Sequence, residues 1–402
     1  MNGCKYEWDR EISEFTIQVE RLQTDALLFN NTISQFNDKY FLSGTNIPIL
    51  DQSESKESPP FGRLRSINIH DSSISELEPP EGSSTFRYPR GVGNSQSGFN
   101  LLWAEENIDT DHVSAAEVPI VIFHSKYLNE SWTEPEKVYS SFRIPWSMER
   151  TSGFRIHGNM LYMLLRSDPP DMRGSGGLTF LFYSENEWNY HHWVGEKSRG
   201  CLYLDILYVD KKLVMSCTGP NQNSVYSSYS TDMGSSWNRF HPVVNSLSGR
   251  NKAFDAKLIR MSDRIYLFWM QSRDNRYFSE SILYSYSDDT GISWSNPANL
   301  EVSSNALTFE VASDLNKIIH LVYTGLNEDG YHTYYRHFNN GNWSQERKVF
   351  IDNEFDHMTL SSRMRVDLNS EDVYFTVNKY QSNKSLEEAE TYVVTISNNH
   401  VK

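Results

Sequence analysis

The chain has 402 residues with 37 Lys and Arg against 52 Asp and Glu, and its net charge of −15 argues against nucleic acid or an anionic membrane as the main partner. Aromatic residues make up 13%, a bias that favours strands. Only Cys4, Cys201 and Cys217 carry thiols, too few for a disulfide framework, and no stretch is apolar enough to cross a bilayer as a helix.

The N-terminal segment, 1–23, opens on MNGCKYEWDREIS, without a basic region followed by an apolar run. A soluble, cytoplasmic protein is therefore expected, secreted only if a leader has been removed. Within that segment Glu14–Glu20 (EFTIQVE) alternates as a strand does. Asn30-Asn31-Thr32 and Asn129-Glu130-Ser131 match the glycosylation sequon at a rate chance supplies in so Asn- and Ser-rich a chain. Ser53–Gly62 and Pro79–Ser84 read as surface loops.

Seven apolar runs without helical spacing follow one another: Tyr40–Ser43, Phe99–Ala104, Met160–Leu165, Leu213–Cys217, Ile265–Met270, Ile318–Tyr323 and Val373–Val377. Each precedes a polar loop and a further strand, as the second strand of a four-stranded unit would. Two polar stretches punctuate the series, Ser230-Thr231-Asp232-Met233-Gly234-Ser235-Ser236-Trp237 and Ser287-Asp288-Asp289-Thr290-Gly291-Ile292-Ser293-Trp294. Both read Ser-x-Asp-x-Gly-x-Ser-Trp. Asp and Ser bond nearby amides, Gly supplies a positive φ, and Trp plugs the turn onto the core. Weaker copies end at Trp132, Trp188 and Trp343, so the tryptophans step by 49 to 57 residues, one blade's length. The last unit lacks a fourth strand, which Glu14–Glu20 can supply, removing an exposed edge.

These turns resemble the Asp-box, or BNR repeat, of sialidases and other β-propellers. The expectation is an all-β fold: one β-propeller domain over 1–402, of seven blades (six as the alternative), its ring closed by the N-terminal strand.

Aligned on their second strands, the starts of the innermost strands carry charge at one recurrent place: Arg87, Arg143, Asp205, Asp255, Glu310 and Arg363. Three arginines would face three carboxylates around one funnel. They read either as ion pairs that hold the blades in register or as an arginine clamp for an anion with a carboxylate that handles protons. Loops after the second strands add Glu105, Asp109 and Asp111; Arg166, Asp168, Asp171 and Arg173; and Arg273, Asp274 and Arg276.

Phe142-Arg143-Ile144-Pro145 is similar to the Phe-Arg-Ile-Pro motif of sialidases, and Phe86-Arg87-Tyr88-Pro89 is a looser copy. The resemblance implies Arg143 or Arg87, and Arg363, as carboxylate-binding arginines; from the charged loops, Arg166 and Arg273 are further substrate-binding candidates. Glu310 would be the helper acid, and Asp168, Asp171, Asp109 or Asp111 the acid/base; from the recurrent charged position, Asp255 is a further candidate catalytic carboxylate. A Tyr–Glu pair would serve as nucleophile and helper, with Tyr323 and Tyr380 as the tyrosines on offer. The expected function is exo-hydrolysis of an acidic sugar. The alternatives are glycan or protein binding without catalysis, and uronate polysaccharide lysis, for which His124, His157, Tyr190, His191 and His192 are candidates. Tyr190-His191-His192 follows Trp188 and is expected past a turn, on the face opposite the site. Cys/His metal spacing, a phosphate-cradling Gly loop and a Gly-x-Ser-x-Gly elbow are lacking, so no metal or cofactor is expected.

Overall fold

The computed structural model describes residues 15–22, 28–36, 39–46, 62–68, 74–83, 86–94, 98–105, 119–142, 154–172, 176–195, 200–219, 221–244, 247, 251–272, 279, 281–350, 357–360, 363–366, 372–380 and 390–398. Their strands form seven antiparallel sheets, each one blade of a β-propeller. Each expected apolar run lies in the second strand of its blade. Such strands pack on both faces, so they read as continuous apolar runs rather than alternating ones. In Gly98–Glu105, for example, seven consecutive residues are buried.

The chain packs as two compact units. One spans Pro79–Gly93 and Ser97–Val302 and holds blades 2 to 5. Their first strands are Arg87–Asn94, Arg155–His157, Leu202–Val209 and Lys252–Met261. Between consecutive blades lie apolar layers, such as Leu165, Leu181 and Phe154 against Tyr139 and Ile122, and Leu213 and Met215 against Phe180 and Tyr162.

The two Ser-x-Asp-x-Gly-x-Ser-Trp turns join third to fourth strands in blades 4 and 5 with the same bonds. Ser230 Oγ donates to Asp232 Oδ1 (2.7 Å) and accepts from Gly234 N (2.8 Å), while Ser236 N donates to Asp232 Oδ1 (2.9 Å). Ser287, Asp289, Gly291 and Ser293 repeat this at 2.8, 2.7 and 2.8 Å. Gly234 (φ 84°) and Gly291 (φ 86°) adopt the left-handed backbone the turn needs, and a Cβ on Gly291 would lie 2.7 Å from Val214 of the preceding blade. Cys201 and Cys217 form a disulfide inside blade 4.

The other unit, Met1–Glu78, Asn94–Gln96 and Ser303–Lys402, holds blades 1, 6 and 7. Blade 7 is built from both ends of the chain. Phe15–Leu22 pairs antiparallel with Glu390–Asn398 as the outermost strand, the closure the sequence predicts. Among the described residues no helix is long and apolar enough to cross a membrane.

Candidate functional site

Of the residues expected to bind or react, Arg143, Asp111 and Arg273 lie outside the described residues, as do Asp109, Arg173, Asp274 and Arg276. Arg87 opens the first strand of blade 2. Glu310 is buried in the first strand of blade 6 and Arg363 is half-buried in blade 7. Both sit in the unit of blades 1, 6 and 7, whereas Arg166, Asp168, Asp171, Asp205 and Asp255 sit in the other.

The recurrent charge position does not hold in blades 4 and 5. Register pairs Asp205 with Ser216, but it is Lys257, two residues beyond Asp255, that pairs with the corresponding Phe268. In each strand a dipeptide bulges just before that position, Tyr203-Leu204 and Asp255-Ala256, with φ of 50° at Tyr203 and 54° at Asp255. A bulge adds one residue without breaking the apolar pattern, so Asp255 answers to Tyr203 and Lys257 to Asp205.

Asp205 is fully buried and fully engaged. Arg155 Nη2 lies 2.9 Å from both carboxylate oxygens, and the amides of Ile206 and Leu258 donate at 2.7 Å. Since Arg155 belongs to blade 3 and Leu258 to blade 5, this carboxylate ties three blades together. Asp255 pairs with Lys257 at 3.1 Å. The Asp205 contacts match the register-holding reading of these charges, whereas the Asp255–Lys257 pair stays within one strand.

Asp168, 1% exposed, directly follows the second strand of blade 3, Met160–Ser167. Its carbonyl accepts from Ser141 Oγ (2.8 Å) and Phe142 N (3.0 Å), and its Oδ1 accepts from Gly176 N (2.5 Å). It therefore fastens both the 2–3 loop of blade 3 and the segment that leads into the Phe142-Arg143-Ile144-Pro145 motif. Asp171, three residues on, is exposed in a 3-10 turn. Arg166 alternates with Ser167 and so faces the other side of the sheet.

At this same end of blade 3 stands a group of residues that the sequence placed elsewhere. The fourth strand, Glu187–Trp193, runs from the Glu185-Asn186 turn back along the blade, and register sets His192 opposite Thr179 and Trp193 opposite Leu178. His192 thus lies at the Asp168 end, not on the opposite face. Seven strand residues span roughly 20 Å, enough to carry a side chain from one face to the other. His192 Nδ1 lies 2.8 Å from Thr179 Oγ1, which bonds Ser167 Oγ (2.6 Å) and Tyr139 OH (3.1 Å). Tyr190, 51% exposed, packs its ring edge-on to Tyr139 at 5.1 Å. The ring of His192 lies over Gly177, where a Cβ would meet its Cε1 at 2.5 Å, so only glycine admits it.

Burial holds the His192 imidazole below its ordinary value of 6.5, outweighing the upward pull of Asp168 and Asp171. Burial also pushes the Tyr139 phenol above 10.0. The cluster therefore presents a neutral imidazole and an undissociated phenol at neutral pH.

In the other unit Tyr323 OH donates to Glu346, which also accepts from Ser303 Oγ. This is a Tyr–Glu pair of the expected kind, but burial first, and then the Glu346 carboxylate, push the phenol well up from 10.0. A nucleophilic phenolate needs the opposite shift. Tyr380 ends the second strand of blade 7.

No family model matches the chain, and no curated protein matches it. Among solved structures the polysaccharide lyase Uly1 aligns with a TM-score of 0.55 over 94% of this chain and 98% of its own, at 12% identity. A protein of unknown function from Dyadobacter fermentans aligns at 0.50 over 99% and 100%, at 11% identity. The NanB sialidase of Streptococcus pneumoniae aligns at 0.47 over 94% and 69%, at 13% identity. At such identities the likeness is one of fold.

Proposed function

We propose that the chain is a carbohydrate-active propeller that takes an acidic glycan and cleaves it by β-elimination at a uronate, with the blade 3 cluster as its acid–base centre. The observation that carries this reading is the bonded series His192–Thr179–Ser167/Tyr139, with a neutral imidazole at one end. In the tautomer that donates Nδ1–H to Thr179, Nε2 holds the lone pair and takes the proton from C5, α to the uronate carboxylate. The electron pair forms the C4–C5 double bond and the C4–O bond breaks. Tyr190, braced by Tyr139, supplies the proton to the departing glycosidic oxygen. Arg143, next in sequence after the anchored Phe142, is the arginine proposed to neutralise the carboxylate.

Incubation with a panel of uronate polymers should give an unsaturated product that absorbs in the ultraviolet. His192→Ala should cut the rate about 100-fold or more, in line with general-base catalysis. The rate should rise with pH through a value below 6.5, because the imidazole works in its neutral form.

The anchored Phe142, first residue of the Phe-Arg-Ile-Pro sequence, supports a second reading, exo-hydrolysis of an acidic sugar with Arg143, Arg363 and Arg87 as carboxylate-binding residues. Release of fluorophore from sialosides, abolished in Arg143→Ala, would favour it over elimination. Neither product on any substrate would leave glycan binding without turnover as the function.

A further inference from the structure

Blade 6 carries a second polar cluster at the place in its sheet where blade 3 holds His192. In blade 3 the cross-strand row is Leu165, Thr179, His192; in blade 6 it is Tyr323, Tyr334, Lys348. One step along, His332 pairs with Gly325. Here one buried polar atom has nothing to bond. His332, 2% exposed, makes no hydrogen bond through Nδ1, and beside it the buried Ser304 hydroxyl has only the Tyr323 and Tyr334 hydroxyls within reach. They are neighbours: a Cβ on Gly325 would sit 2.0 Å from Ser304 Oγ, so that hydroxyl occupies the space of a side chain directly across from His332.

The tautomer of His332 is fixed by its other nitrogen. Lys348 Nζ lies 3.3 Å from Nε2, and an ammonium only donates, so Nε2 accepts and the proton stands on Nδ1. Burial, with Lys348 second, keeps the ring neutral by pulling its pKa below 6.5. Nδ1–H is thus a buried donor with no acceptor, which costs about 1–3 kcal/mol if left so, and the Ser304 hydroxyl stands beside it. Lys348 is exposed and makes no ion pair with a described carboxylate, because Glu346 is taken up by Tyr323 and Ser303.

We propose that this corner of blade 6 is a binding site for a carboxylate, whose oxygens accept from His332 Nδ1 and Ser304 Oγ while Lys348 supplies the countercharge. The site is separate from the blade 3 cluster and does not depend on the reaction proposed there.

Binding is read from the side-chain nitrogen resonances of histidine-labelled protein, with His332→Gln to assign His332. Sodium glucuronate should shift both ring nitrogens of His332, acetate should do so more weakly, and glucose at equal concentration should not. Lys348→Met, a change at an exposed position, should weaken glucuronate about five- to tenfold. His192→Ala should leave this binding unchanged, so a failed elimination reaction does not bear on it. Three outcomes would overturn the proposal: His332 resonances that stay still at tens of millimolar glucuronate, equal shifts with glucose, or loss of binding in His192→Ala.

Discussion

Asp205 and Asp255 look alike in the sequence, each following an apolar residue at the head of an inner strand, yet they behave as different kinds of acid. Asp205 is fully buried between Arg155 and two backbone amides. Asn there would leave the Arg155 guanidinium without its countercharge in a low-dielectric layer and set an NH2 donor against one of the two backbone amides. Breaking a buried pair in this way costs about 3–5 kcal/mol. Asp205→Asn should therefore lower the urea midpoint by an amount equivalent to about 3 kcal/mol, while Asp255→Asn, whose side chain is 28% exposed, should cost under about 1 kcal/mol. Equal losses would mean that Asp205 is not the tie between blades that its bonds describe. The recurrence of charge was legible in the sequence. The bulge that displaces it was not, since Tyr at 203 gives no hint of the left-handed backbone it adopts.

At the scale of the element, the two Ser-x-Asp-x-Gly-x-Ser-Trp turns were fully legible, because everything that defines them lies within eight consecutive residues. The path of His192 was not. Its site depends on how far the strand Glu187–Trp193 runs, and the turn after Ser184 marks where that strand starts but not where it ends. The turns also carry a pH signature. The Ser236 hydroxyl and amide hold the Asp232 carboxyl below its ordinary 3.8. Asp289 is likewise held below 3.8, with Ser293 and Ser287 outweighing burial. A depressed folded value means the stabilisation is complete above the unfolded value and is lost as pH falls through the folded one. Wild type and Asp232→Asn/Asp289→Asn should therefore differ most in melting temperature at pH 5 to 7 and converge towards pH 2 to 3. A difference that persists at pH 2 would place the effect in packing rather than in the carboxylates.

For the whole molecule, the number of blades could be counted because second strands are apolar on both faces and declare themselves one by one. How the count closes rests on a single alternating segment near the start of the chain. Phe15–Leu22 pairs along its whole length with Glu390–Asn398. Its first residue is buried against His320 and His337 of blade 6, with ring centroids 5.3 and 4.9 Å apart. His320 is itself fixed by Asp314 (3.1 Å) and Tyr335 (2.8 Å), so the strand end docks on a bonded surface. At the other end Leu22 packs with Ile33 and Leu42 of blade 1 and Val393 of blade 7. One strand thus touches all three blades of its unit. Phe15→Ala should cost about 3 kcal/mol from the lost core contacts. Deleting residues 1–22 should do more than that, because it uncovers the edge of Glu390–Asn398, a row of unpaired amides and carbonyls. The truncated protein should melt lower and self-associate with rising concentration in light scattering. A peptide of residues 14–23 added in trans should reverse this self-association by reoccupying the edge. Truncated protein that melts like the full chain would show that blade 7 holds without its fourth strand.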